Sequence, residues 1–181
     1  MDLILWRHAE AEPGEPDLGR RLTAKGLKQA ERMGEWLDHH LPDTARILVS
    51  PADRAQQTAL GLKRKFRTVD EIGPGATGEA VLLAAGWPDS REAVVVVGHQ
   101  PTLGAVASFL LSGEESWWSV KKGAVWWLTN RDKSGAITTR STTDEAPDLS
   151  RFVSHQTAPF FTDHHASSPE SRNDATAPSV G

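Results

Sequence analysis

Three short apolar runs, at residues 3–6, 47–49 and 94–97, each give way to a polar turn and then to a longer stretch with apolar residues at helical spacing. A strand that is apolar at every position has both faces covered, so these runs predict a parallel sheet with helices on either side. The first helix is predicted from a Thr23 cap, with Leu27, Ala30, Met33, Trp36 and Leu37 on one face and Pro42 at its close. After the second run, Ser50-Pro51 reads as an N-cap followed by proline at the first helical position, with Ala55, Ala59, Leu62 and Phe66 along one face. After the third, Gly98-His99-Gln100-Pro101 leads into Leu103, Val106, Ala107, Leu110 and Leu111, again helical in period. A helix is expected over residues 79–85, and residues 124–129 and 136–142 read as a late hairpin. The predicted fold is a three-layer α/β/α sandwich on a mainly parallel sheet, extended by an antiparallel strand or hairpin.

With 181 residues the chain has room for one ordinary core. Its seven tryptophans all lie at or before position 127, whereas residues 154–181 lack Leu, Ile, Trp and Lys. We therefore expect one domain at residues 1–153 and a disordered tail at 154–181. The formal charge of −4 gives no general attraction to nucleic acid or anionic lipid. Cysteine is absent, which excludes disulfides, thiolate metal sites and cysteine nucleophiles and suits a reducing cytoplasm. The start of the chain has neither the basic n-region nor the long apolar stretch of a signal peptide, and a soluble, cytoplasmic, monomeric protein is expected.

Each of the three strands delivers a basic side chain into the turn that follows it: Arg7 and His8, then Arg54, then His99. Ligands of open α/β sheets bind at the carboxyl ends of strands, so these groups could converge on one crevice. A neutral imidazole attacks phosphorus well, and guanidinium neighbours favour that neutral form while holding a phosphoryl dianion. The helix starts near Pro51 and Pro101 would add backbone N–H groups facing the same anion.

Four ordered segments carry a specific resemblance. Arg7-His8-Ala9-Glu10, Leu22-Thr23-Ala24-Lys25-Gly26-Leu27-Lys28-Gln29-Ala30, Ser50-Pro51-Ala52-Asp53-Arg54-Ala55-Gln56-Gln57-Thr58-Ala59 and Val97-Gly98-His99-Gln100-Pro101 resemble the signatures of the histidine phosphatase superfamily, the phosphoglycerate mutase-like fold. Arg20-Arg21-Leu22-Thr23 and the short stretch between the second and third motifs resemble its compact, SixA-type phosphohistidine phosphatases, which lack a long roofing insertion. The resemblance implies His8 as nucleophile, with Arg7, Arg54 and His99 forming the phosphate pocket. Arg20 would be an outer phosphate or substrate contact, with Arg21 as the alternative. The superfamily's acidic proton donor has no clear counterpart, Glu71 and Glu79 being the nearest candidates. That absence favours phosphohistidine, whose imidazole leaving group solvent can protonate, over alkyl phosphates.

The implied activity is metal-independent phosphatase action, without cofactor, on a phosphohistidine-containing partner protein in signal transduction. The alternatives are a phosphatase of small phosphomonoesters and a catalytically weak phosphoprotein-binding module. His39-His40 and His164-His165 read as helix-end charge and tail solubility and not as metal ligands. Of Trp117-Trp118 and Trp126-Trp127, one of each pair is expected in the core. Residues 73–78 are glycine-rich without the Lys-Ser/Thr of a P-loop, and read as a loop at the rim of the site.

Overall fold

A computed structural model describes residues 1–130, 137–142 and 152–155, the last two stretches by their backbone. Seven strands form one sheet: β1 (Asp2–Arg7), β2 (Arg46–Val49), β3 (Arg67–Thr68), β4 (Val94–Gly98), β5 (Val125–Asn130), β6 (Ile137–Thr142) and β7 (Phe152–His155). Their order is β3-β2-β4-β1-β5-β6-β7. The first four are mutually parallel, and β5, β6 and β7 continue from β1 as an antiparallel meander. The expected α/β sandwich and its late hairpin are both present. β7 crosses the expected boundary at residue 153 by two residues, and the tail beyond it lies outside the described residues, as does the His164-His165 pair.

Among the described residues four α-helices cover the sheet: α1 (Ala24–His40), α2 (Asp53–Leu60), α3 (Gly78–Ala85) and α4 (Thr102–Ser112). Alternate residues of the same strands supply two cores, as the pleat requires. Ile4, Trp6, Ile47, Val49, Val95 and Val97 face Met33 and Leu37 of α1 and Ala55 and Ala59 of α2. Leu3, Leu5, Leu48, Val94 and Val96 face Val81 of α3 and Leu103, Val106 and Leu110 of α4. Trp126 packs with the second group and Trp127 with the first, and Trp118 is partly buried where Trp117 is exposed. α3 thus belongs to a core layer and does not roof the sheet's edge, in keeping with the short stretch between motifs.

Thr23 caps α1 as expected, its Oγ1 accepting from Gly26 N at 2.9 Å. The second helix differs from expectation. It starts at Asp53 with Ala52 as cap, and Ser50 is not its N-cap residue. The Ser50 hydroxyl faces across the sheet instead, to a residue of the next strand's turn. His39 and His40 place Nδ1 on the carbonyls one turn back, at 2.6 and 2.7 Å, and so close the end of α1.

Candidate active site

β1, β2 and β4 lie side by side, and their carboxyl ends bring together the residues named from the sequence. His8 leaves β1 with its amide bonded to Gly98 O of β4 at 3.0 Å. The His8 and His99 ring centroids are 5.2 Å apart. Arg7 donates from Nη1 to Val120 O at 2.6 Å, and Arg54 stands in the first turn of α2, 4% exposed.

The loop after His8 is fixed amide by amide. Ala9 N donates to Thr58 Oγ1 at 3.0 Å, and Thr58 Oγ1 donates to Arg54 O at 2.6 Å. Glu10 N donates to Gln29 Oε1 at 3.0 Å, and Leu22 N to Gln57 Oε1 at 2.7 Å. The polar residues of the sequence signatures thus hold the loop after His8 against α1 and α2. Gly26 has the same purpose, since a Cβ there would collide with the Glu10 carbonyl.

The His8 tautomer follows from its neighbour. Nδ1 lies 2.7 Å from the Ala9 carbonyl, which can only accept, so Nδ1 carries the proton and Nε2 keeps its lone pair. Burial, reinforced by Arg54, Arg7 and Arg20, pushes the His8 pKa down to about 4, against the opposing effect of the Ala9 hydrogen bond. His8 is therefore a neutral imidazole at physiological pH. Burial and then His8 and Arg54 take His99 down to about 3. Its Nε2 meets Ser50 Oγ at 2.6 Å.

Three buried nitrogens at this edge, Arg7 Nε, Arg54 Nε and His99 Nδ1, have no protein partner. Buried donors of this kind are normally satisfied, and a tetrahedral oxyanion between the guanidinium groups could satisfy them. Burial lowers the pKa of Arg7 from its usual value.

One residue of the site was absent from the sequence reading. Residues 12–21 form a loop closed at its base by an Ala11–Leu22 bridge and a bond from Glu12 N to Arg21 O at 2.8 Å. In its 3-10 turn, Asp17–Gly19, Asp17 accepts from Arg54 Nη2 at 2.9 Å through Oδ2, and its carbonyl accepts from Arg54 Nη1 at 2.5 Å. Its other carboxylate oxygen accepts from Arg20 Nη1 at 3.1 Å, and Arg20 Nε donates to Glu12 O at 2.8 Å. Arg20, and not Arg21, is thereby drawn to the site. The hydrogen bond from Arg54 holds the Asp17 carboxyl below its usual pKa. The available signal was an acid three residues before Arg20, the spacing that faces it in a tight turn.

Glu71 and Glu79 are exposed and form no ion pair with the site's arginines. The start of α4 also departs from expectation, because Gln100 Oε1 takes the Gly104 amide at 2.9 Å. That donor is closed to an anion. The glycine-rich loop packs near the helix starts, with Gly73 beside Pro51 and Ala76 O accepting from Thr102 Oγ1 at 2.7 Å.

Known proteins resemble this chain in sequence and in fold. The sequence pattern of the histidine phosphatase superfamily (branch 1) matches residues 3–74. The phosphohistidine phosphatase SixA homolog of Haemophilus influenzae is 34% identical over 126 residues, covering 61% of this chain and 77% of that one. Phosphohistidine phosphatase SixA of Escherichia coli is 30% identical over 123 residues, covering 63% and 76%. A solved protein histidine phosphatase SixA complexed with tungstate superposes with a TM-score of 0.67 at 26% identity, over 80% of this chain and 97% of that one.

Proposed function

Given that this chain belongs to the histidine phosphatase superfamily, as a SixA-type member and hence a phosphatase, we propose that it removes phosphate from histidine on a partner protein through a phosphoenzyme on His8. The observation that carries this reading is the His8 ring itself. Its Nδ1 proton rests on the Ala9 carbonyl at 2.7 Å, and its Nε2 is an uncharged nucleophile among arginines.

In the proposed first step, Nε2 attacks phosphorus in line while Arg7 and Arg54 bind the equatorial oxygens and His99 donates to one of them. The bond to the leaving group breaks, and water then hydrolyses the phosphohistidine formed on His8. The guanidinium groups supply the positive charge that a metal ion brings to other phosphatases, which supports metal-independent action. The tungstate complex of the relative supports an oxyanion as ligand.

A protein substrate is supported by the rim. The two segments that hold the pocket arginines each carry an exposed apolar side chain, Leu18 beside Asp17 and Trp117 near Val120, which a folded partner could cover. A cytoplasmic setting is part of the same proposal, supported by the cysteine-free composition.

The test is a substrate panel assayed in chelator, with a phosphorylated histidine-phosphotransfer domain, sugar phosphates and an aryl phosphate. We expect the highest kcat/KM for the phosphohistidine protein. Faster turnover of sugar phosphates would make this a small-molecule phosphatase, and binding without turnover of any substrate would make it a phosphoprotein-binding module.

A further inference from the structure

Asp17 stands against the proposed phosphate pocket: its carboxylate takes Arg54 Nη2 at 2.9 Å, next to the unpartnered Arg54 Nε, so that a bound phosphoryl group would compete with it for this guanidinium. The two sides of this ion pair differ in burial, Arg54 being almost fully enclosed and Asp17 half exposed. An incoming phosphoryl dianion carries more charge than the carboxylate and more acceptor oxygens, so it would take Arg54 and release the more exposed partner. The carboxylate would not leave the site. Its second oxygen is on Arg20, which is itself tied to the Glu12 carbonyl at the base of the same loop. Asp17, the half-exposed partner of buried Arg54, would then stand between the pocket and solvent, the side the proposal gives to the leaving group. Among the described residues it is the only carboxylate paired with the pocket's arginines.

We propose that Asp17 determines the leaving-group preference of the site, yielding Arg54 to the phosphoryl group and then accepting a hydrogen bond from the far ring N–H of a phosphorylated imidazolium. This deepens the phosphohistidine reading and rests on it. A carboxylate beside that ring stabilises its cationic form, the form from which the P–N bond breaks readily. As His8 Nε2 bonds to phosphorus, the P–N electron pair stays on the substrate's ring nitrogen. The proton already on the other ring nitrogen remains there, and neutral imidazole departs without an acid.

The reaction is then nearly symmetrical. The phosphorylated ring of the substrate rests its N–H on Asp17, and the phosphorylated ring of the enzyme rests its N–H on the Ala9 carbonyl. An alkyl phosphate gains nothing from this arrangement. Its leaving oxygen needs a proton, and Asp17, still a carboxylate paired with Arg20, has none to give. Anionic leaving groups would meet like charge.

The test compares Asp17→Asn and Asp17→Glu with the full-length wild type on two substrates, a phosphorylated histidine-phosphotransfer domain and p-nitrophenyl phosphate, whose leaving group departs without a proton. Asp17→Asn should move them in opposite directions. The phosphohistidine substrate should lose about 10-fold or more in kcat/KM, the scale of one charge-assisted hydrogen bond. The aryl phosphate should gain, and vanadate should inhibit more tightly, because nothing then competes for Arg54. Asp17→Glu should recover part of the phosphohistidine activity. If the two substrates change in parallel, or neither changes, this assignment is overturned while the phosphohistidine reading stands. If the wild type turns over p-nitrophenyl phosphate but not the phosphohistidine protein, the functional reading fails and this inference fails with it.

Discussion

Ser50 Oγ lies 2.6 Å from His99 Nε2, joining the turn after β2 to the turn after β4 inside the buried edge of the sheet. Ser50 Oγ also accepts from Ala52 N at 3.3 Å, and in the proposed mechanism, where His99 donates to the phosphoryl group, the Ser50 hydroxyl donates its proton to Nε2. His99 then carries its proton on Nδ1, the nitrogen with no protein partner. Ser50 thus acts as a positioning residue, and Ser50→Ala should lower kcat about 10-fold or more by releasing that tautomer. Nitrogen NMR of labelled histidine should show the Nδ1–H form of His99 in the wild type and a tautomer mixture in the variant. An unchanged tautomer with unchanged kcat would refute the assignment.

His8→Ala should abolish turnover, by at least about 10³-fold, while leaving the fold intact. Acid-sensitive, base-stable phosphate should be trapped on the wild type when a reaction with radiolabelled substrate is quenched. Label retained on the variant would place the nucleophile elsewhere.

Arg54→Ala should cost on the order of 10² in rate, the scale of one strong transition-state contact. The wild type should keep full activity in EDTA and be inhibited by vanadate or tungstate. Loss of activity in EDTA with recovery on adding zinc would overturn the metal-independent mechanism.

The two site histidines set a pH signature. His8 and His99 have folded pKa values of about 4 and about 3, below the 6.5 of an unperturbed imidazole. In this interval the unfolded chain binds protons that the folded site refuses, so these groups reduce stability as pH falls below about 6.5. Above it they contribute no pH dependence. An NMR titration should show both rings still neutral at pH 5, and titration of either near 6.5 would contradict the buried, cation-flanked environment.

Thr58→Val should destabilise the fold by about 1–3 kcal/mol, because it leaves the buried Ala9 amide without its acceptor. The same change loosens the His8 loop, so kcat should fall more than aryl phosphate binding weakens. Chemical denaturation and steady-state kinetics on one preparation measure both effects.

Much of this arrangement was legible in the chain because strand ends and polar turns are local features. The apolar runs at β1, β2 and β4, and the basic residue after each, were enough to place His8, Arg7, Arg54 and His99 at one sheet edge. Arg20 was separable from Arg21 only in three dimensions, because what distinguishes them is which one reaches Asp17. The proline after Ser50 points to a helix cap, but the Ser50 hydroxyl is claimed by a partner 49 residues away, a competition that local rules do not contain. Asp17 was missed for the same reason. Nothing adjacent to it announces Arg54, which lies 37 residues further along the chain.

The Ala9 carbonyl on His8 Nδ1 has an evolutionary consequence. Many enzymes orient a reactive histidine with an aspartate or glutamate side chain, which one nucleotide change can remove. Here the orienting acceptor is a backbone oxygen that every amino acid possesses. No substitution at position 9 deletes it. The protonation pattern of His8 is inherited with the path of the chain after β1, and drift can abolish it only by bending that path or replacing His8 itself.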